Sequence, residues 1–117
     1  MPYQAVLETL VRSVAGAEAA MLLDVEGEAV VEAGVRDYRH RLIAAYQGIG
    51  LATAQKTADR YDVGDIAYIL CRYAWGHVLI RPLKDGYYLM VALSLGANVG
   101  QGLHRSADAQ QKLNAAL

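Results

Sequence analysis

The stretch Tyr87-Tyr88-Leu89-Met90-Val91-Ala92-Leu93-Ser94 most constrains what this chain can fold into. Read as a β-strand, it puts Tyr87, Leu89, Val91 and Leu93 on one face and Tyr88, Met90 and Ala92 on the other. Neither face is polar, so water can wet neither, and a sheet containing this strand must be covered on both sides. The residues before it supply the sheet. Ile66 to Tyr73 is rich in β-branched and aromatic residues, Trp75-Gly76 interrupts it, and His77 to Leu83 resumes it. Lys84-Asp85-Gly86 then leads into the two-faced strand, and Asp-Gly between apolar runs is a strong hairpin signal. The segment 65–94 therefore reads as an antiparallel meander.

The rest of the chain supplies the cover. Val6, Leu7, Leu10, Val11 and Val14 recur at helical spacing over Gln4 to Val14, and Gly16 follows where a helix C-terminal glycine belongs. Ala19 to Val25 is apolar almost throughout, a central strand. Glu26-Gly27 turns it, and Glu28 to Ala33 returns as a half-polar strand at a sheet edge. Asp37 is the expected N-cap of a long helix to Tyr61, about 36 Å at 1.5 Å per residue.

On that helix Leu42, Tyr46, Ile49 and Thr53 form one stripe. Ile43, Gly50, Ala54, Thr57 and Tyr61 lie beside it, and Ala44, Leu51 and Ala58 widen the arc. This is more apolar surface than one sheet face requires. Gly48 and Gly50 are costly in a helix interior, and they are either tolerated or mark a close approach of another backbone. Asn98 caps a closing helix from Val99 to Leu117.

The predicted fold is α+β. It is a three-layer α/β/α sandwich with a five-stranded antiparallel sheet, in the order helix-strand-strand-helix-strand-strand-strand-helix. One domain over residues 1–117 is expected.

Charge and chemistry narrow the function. A net charge of −1 provides no basic footprint for nucleic acid and no polybasic membrane anchor. No apolar run approaches the roughly 20 residues of a membrane helix, and no signal peptide is evident. The lone Cys71 cannot form a disulfide within the chain, so a cytoplasmic location is expected. His40, His77 and His104 have no metal spacing, so no metal, cofactor or catalytic set is expected. Gly48-x-Gly50 lies inside a helix rather than after a strand, and Gly96-x-x-x-Gly100-x-Gly102 lacks the lysine of a phosphate loop. Arg36, Arg39, His40 and Arg41 cluster at the entrance of the long helix, either as a solvated helix start or as a contact patch for an acidic partner.

The order of elements, with its turns, resembles the roadblock family (dynein light-chain roadblock and the bacterial MglB type) over nearly the whole chain. The matching features are the Asp24-Val25-Glu26-Gly27 turn and the small residues Ala44-Ala45 and Leu51-Ala52 of the long helix. They continue with Arg81-Pro82-Leu83-Lys84-Asp85-Gly86-Tyr87-Tyr88-Leu89 and the entry Gly96-Ala97-Asn98-Val99-Gly100. The resemblance implies the long helix on one sheet face and both terminal helices on the other. It also implies a regulatory module that binds a small Ras-like GTPase, or a dimeric scaffold without one. Some bacterial members stimulate GTP hydrolysis by reshaping the GTPase's own active site. The sequence stops at Leu117 without the C-terminal extension some of these regulators carry, so the resemblance speaks to binding more than to stimulation.

A small-ligand sensor is a further reading, and it would need a polar-lined core pocket. An enzyme would need a nucleophile–base or metal set. Self-association with itself or with a paralogous subunit follows from the wide apolar arc and from the Ile66–Tyr73 strand, which has no proline or lysine to protect a sheet edge. The expected dimer interface is Tyr46, Ile49, Gly50, Thr53 and Ala54 on the helix, with Ala67, Ile69 and Cys71 on the strand. The expected partner-binding residues are Arg36, Arg39, His40 and Arg41.

Overall fold

β5, the strand apolar on both faces (Tyr88–Ser94), lies at the centre of the sheet. A computed structural model describes residues 2–117. Its elements run α1 (Pro2–Ser13), β1 (Ala17–Leu23), β2 (Ala29–Ala33), α2 (Tyr38–Tyr61), β3 (Ile69–Tyr73), β4 (Gly76–Pro82), β5 and α3 (Val99–Ala116). The sheet order is β2-β1-β5-β4-β3, and every neighbouring pair is antiparallel.

β5 divides its side chains between two cores as its alternation requires. Leu89, Val91 and Leu93 join Ala20, Leu22 and Leu79 beneath Leu7, Leu10 and Val14 of the first helical layer and Ala109 and Leu113 of α3. Tyr88, Met90 and Ala92 join Ala19, Met21, Leu23, Val78 and Ile80 beneath Ala44 and Leu51 of α2. The architecture is thus a three-layer α+β sandwich, with α2 on one face and α1 and α3 on the other. Each fully buried leucine here contributes about 1.5–3 kcal/mol.

Both predicted caps form. The Asp37 carboxylate accepts from the Arg39 backbone N–H at 2.9 Å, and Asn98 accepts from the Gln101 N–H at 2.9 Å. Asp85 and Gly86 both take positive φ, +61° and +80°, in the tight turn Lys84–Gly86, which the Leu83 N–H closes by donating to the Tyr87 carbonyl at 2.8 Å.

Several strand boundaries shift by one to three residues from expectation, and two of the shifts have a visible cause. β1 ends at Leu23, not Val25, because the Asp24 side chain organises the turn by accepting from the backbone N–H groups of Glu26 and Glu28. β3 begins at Ile69, not Ile66. Its register pairs Ile69 with Ile80, so continuing it toward the N-terminus would set Ala67 opposite Pro82. Proline has no N–H to donate, and the ladder stops. Gln55 of α2 instead accepts the Ile66 N–H at 3.0 Å.

α2 sits on the sheet through small residues. Its buried positions are His40, Ala44, Leu51 and Ala58. Gly48 lies against the Tyr88 phenol, whose hydroxyl donates to the Ala44 carbonyl at 3.1 Å. A side-chain ring, not another backbone, is therefore what requires Gly48. Gly50 faces open space. Burial, helped by the Asp24 charge, raises the Tyr88 pKa, so the phenol stays protonated.

On the opposite face Arg81, 7% exposed, has no carboxylate partner among the described residues. Its guanidinium donates to Ser106 Oγ at 2.8 Å and to the Leu103 carbonyl at 2.9 Å, and it lies over the Tyr68 ring at 5.1 Å. Burial pulls its pKa down. Helix carbonyl, hydroxyl and ring face together satisfy the cation.

The two glycines predict opposite responses in urea unfolding at fixed protein concentration. Gly48→Ala meets the pinned phenol and should lower stability by about 1–3 kcal/mol. Gly50→Ala meets nothing and should raise it by up to about 1 kcal/mol. Equal responses would remove Tyr88 as the cause.

Candidate functional site

α2 turns its bulky apolar residues away from the sheet. Tyr38, Leu42, Tyr46 and Ile49 are 68%, 42%, 71% and 64% exposed. The sheet-facing side of the helix takes Ala44, Gly48 and Leu51, and these four large apolar side chains fall on the outer face. Of the predicted interface residues on α2, Tyr46, Ile49, Gly50 and Thr53 lie on this outer face and Ala54 is half-buried.

β3 is the adjoining sheet edge, as expected. Ile69 and Cys71 are half-buried, and Ile69 packs on the α2-side core. Gln47 of α2 ties that edge down, donating to Cys71 Sγ at 3.4 Å and to the Tyr73 hydroxyl. Ala67 is a correction to the predicted edge. It lies outside β3, and its carbonyl accepts from Arg81 at 3.5 Å.

The four partner-binding residues at the α2 entrance separate. Arg36 and Arg39 are exposed. Arg41 is held in a two-point ion pair with Glu32 of β2, at 2.9 and 2.8 Å. Glu32 raises the Arg41 pKa, and this cation is already occupied. His40 is not part of an exposed cluster, because it is only 8% exposed. Trp75 from the β3–β4 turn covers it, with ring centroids 6.4 Å apart. Trp75 in turn stacks on Tyr73 at 5.6 Å and carries the Arg39 guanidinium at 5.2 Å.

Arg36, Arg39, His40 and Trp75 line a cleft of about 570 Å³ with Val11, Ala17, Glu18, Gly34 and Asp37. Sequence reading took Trp75 only as a strand break. Its aromatic bulk beside a two-residue turn was the available signal, but nothing local aims it at a residue 35 positions earlier.

A second cleft of about 490 Å³ opens at the other end of the sheet, between Gly48, Leu51, Ile66, Leu83 and Tyr87. Its amides are engaged with the fold. Gln110 donates to the Pro82 carbonyl at 2.6 Å, and Gln55 accepts from Ile66. Among the described residues there is no group of three or more metal-ligating side chains and no helix long and apolar enough to cross a membrane.

This architecture, an antiparallel sheet between one long helix and two terminal ones, is the roadblock fold. Myxococcus xanthus MglB superposes with a TM-score of 0.87 at 17% identity, over 99% of this chain and 94% of that one. A Roadblock/LC7 domain from Streptomyces avermitilis gives 0.84 at 18%, over 97% and 95%. MglC from Myxococcus xanthus gives 0.70 at 21%, over the full length of both chains. No protein-family model and no curated protein matches the sequence. The resemblance read from the turns and element order thus holds at the level of the fold.

The Asp37 cap carries a pH prediction. The Arg39 N–H bond, with the nearby Arg39 and His40 charges, lowers the Asp37 pKa below its ordinary 3.8. A carboxylate depressed in the folded state adds stability above its unfolded pKa and loses it as pH falls through the folded value. Asp37→Asn keeps a capping oxygen but not the titration. Its urea midpoint should therefore fall less steeply than the parent's below about pH 4. Parallel curves would reject the assignment.

Proposed function

We propose that this protein is a non-catalytic, dimeric regulatory module of the roadblock type that binds a small Ras-like GTPase in the cytoplasm. The observation that carries the reading is the outward row Tyr38, Leu42, Tyr46 and Ile49 on α2. Contiguous exposed apolar side chains of this kind mark an interaction surface. They adjoin an open strand edge, so one two-fold axis can join α2 to α2 and β3 to β3. The partner in that dimer is a second copy or a paralogous subunit. The likeness in fold to MglB and to MglC supports the same reading.

Two long helices side by side give a broad platform for a GTPase. Any effect on hydrolysis then comes from ordering the GTPase's own residues, since pre-ordered groups lower a barrier without new chemistry. Arg36 and Arg39, at the edge of that platform, steer an acidic partner surface and raise the association rate most at low salt.

Light scattering at micromolar concentration should give twice the chain mass for the parent protein and one chain mass for Ile49→Asp. Ile49 is 64% exposed, so the isolated fold should change by no more than about 0.5 kcal/mol. Gly50→Trp, which adds bulk on the same outer face, should weaken assembly similarly. A monomeric parent would reject the dimer. Titration against the small GTPases of the same cell, loaded with GTP or GDP, tests the partner. Equal and negligible binding in both states would leave the scaffold reading in its place.

A further inference from the structure

His40 presents an unsolved polar requirement. It is 8% exposed, and its Nδ1 is buried with no hydrogen-bond partner among the described residues. Buried polar atoms nearly always have a partner, so an orphan calls for an explanation. The imidazole forms part of the wall of the 570 Å³ cleft, beside Arg36, Arg39 and Trp75.

We propose that this cleft is a docking site for one carboxylate side chain, an aspartate or glutamate in an exposed segment of a protein partner. Arg36, Arg39 and His40 hold the carboxylate, and Trp75 forms the apolar wall. The proposal rests on the reading that this chain binds a protein, and it names the chemistry by which one end of the platform does so.

Charge selects the ligand. Arg36 has no ion-pair partner among the described residues. Arg39 pairs with Asp37 at 3.0 Å, but both side chains are about half exposed, so this pair exchanges readily for another carboxylate. Glu18 and Asp37 also line the cleft. Two cations against two carboxylates disfavour a phosphate dianion or a polyanion, whereas a single carboxylate meets the free guanidinium and offers the imidazole an acceptor. A guanidinium fork and a carboxylate match two-to-two.

Shape agrees with charge. The Trp75 indole is stacked on Tyr73 with the rings 5° from parallel, so the wall is fixed in advance. Val11, Ala17 and Gly34 leave room for the methylenes and backbone that flank an acidic side chain.

The test is an NMR titration of the whole chain, following the Trp75 indole N–H and the His40 ring C–H signals. The probes are a capped tetrapeptide containing one glutamate, the same peptide with glutamine, and inorganic phosphate. The glutamate peptide should shift both signals saturably. The glutamine peptide should bind about tenfold more weakly, the loss of one charge-assisted contact. Arg39→Gln and His40→Gln, each checked for a parental circular dichroism spectrum, should weaken the glutamate peptide to a similar degree.

Unmoved signals, equal response to both peptides, or tighter binding of phosphate would overturn the proposal. Failure of the site and failure of the function separate. A responsive cleft with no GTPase binding in either nucleotide state supports the site and rejects the GTPase. GTPase binding that an Arg36→Gln/Arg39→Gln double variant leaves unchanged rejects the site as a partner contact and keeps the function.

Discussion

The whole molecule depends on the central β1–β5 pair being buried on both faces. β1 and β5 run antiparallel with Met21 opposite Met90 and Leu22 opposite Leu89, so each face of the pair is a continuous apolar surface. Hydrophobic burial acts on both faces at once, and neither helical layer alone could satisfy it. The two layers answer differently. The face under α1 and α3 is filled with leucines, three of them supplied by the helices at Leu7, Leu10 and Leu113. The face under α2 is filled mainly by the sheet itself, and the helix adds the buried Ala44 and Leu51 and the half-buried Ile43.

That asymmetry is the structural ground of the proposed function. A helix whose sheet side is small has its tyrosines, Leu42 and Ile49 on the other side, where a solitary chain gains nothing by them. Surface large apolars cost little when scattered, but arranged in one row they form the centre that a protein interface needs. The edge strand beside them is short and kept in line by Gln47, so the helix and the open ladder form one surface rather than two.

Much of this was legible because it is periodic or local. The two-faced strand predicts three layers from eight residues. Asp37 and Asn98 announce their helices because a short polar side chain before an apolar period has one good use. What was illegible depends on distant partners. Ile66 to Tyr68 has strand composition but meets Pro82 across the ladder, and no local signal reports a missing N–H on another strand. The cluster Arg36, Arg39, His40 and Arg41 reads as one patch at the helix entrance, yet Glu32 takes Arg41 and Trp75 covers His40. Arg81, flanked by Ile80 and Pro82 in a central strand, was the visible sign of a buried charge, and only the fold shows that Ser106 and Leu103 receive it.

The notch at Gly48 has a consequence for how such a chain can change over time. The ring of Tyr88 occupies the space a side chain at position 48 would need, and its hydroxyl is tied to a carbonyl one helical turn earlier. Positions 48 and 88, far apart in sequence, therefore behave as a single volume. A lineage can enlarge residue 48 only after residue 88 has shortened, and shortening residue 88 first leaves a hole that favours filling from the helix. The order of substitutions is constrained even where the end states are both sound. Gly50, two residues away and facing open space within the chain, is tied to no such partner in its own fold.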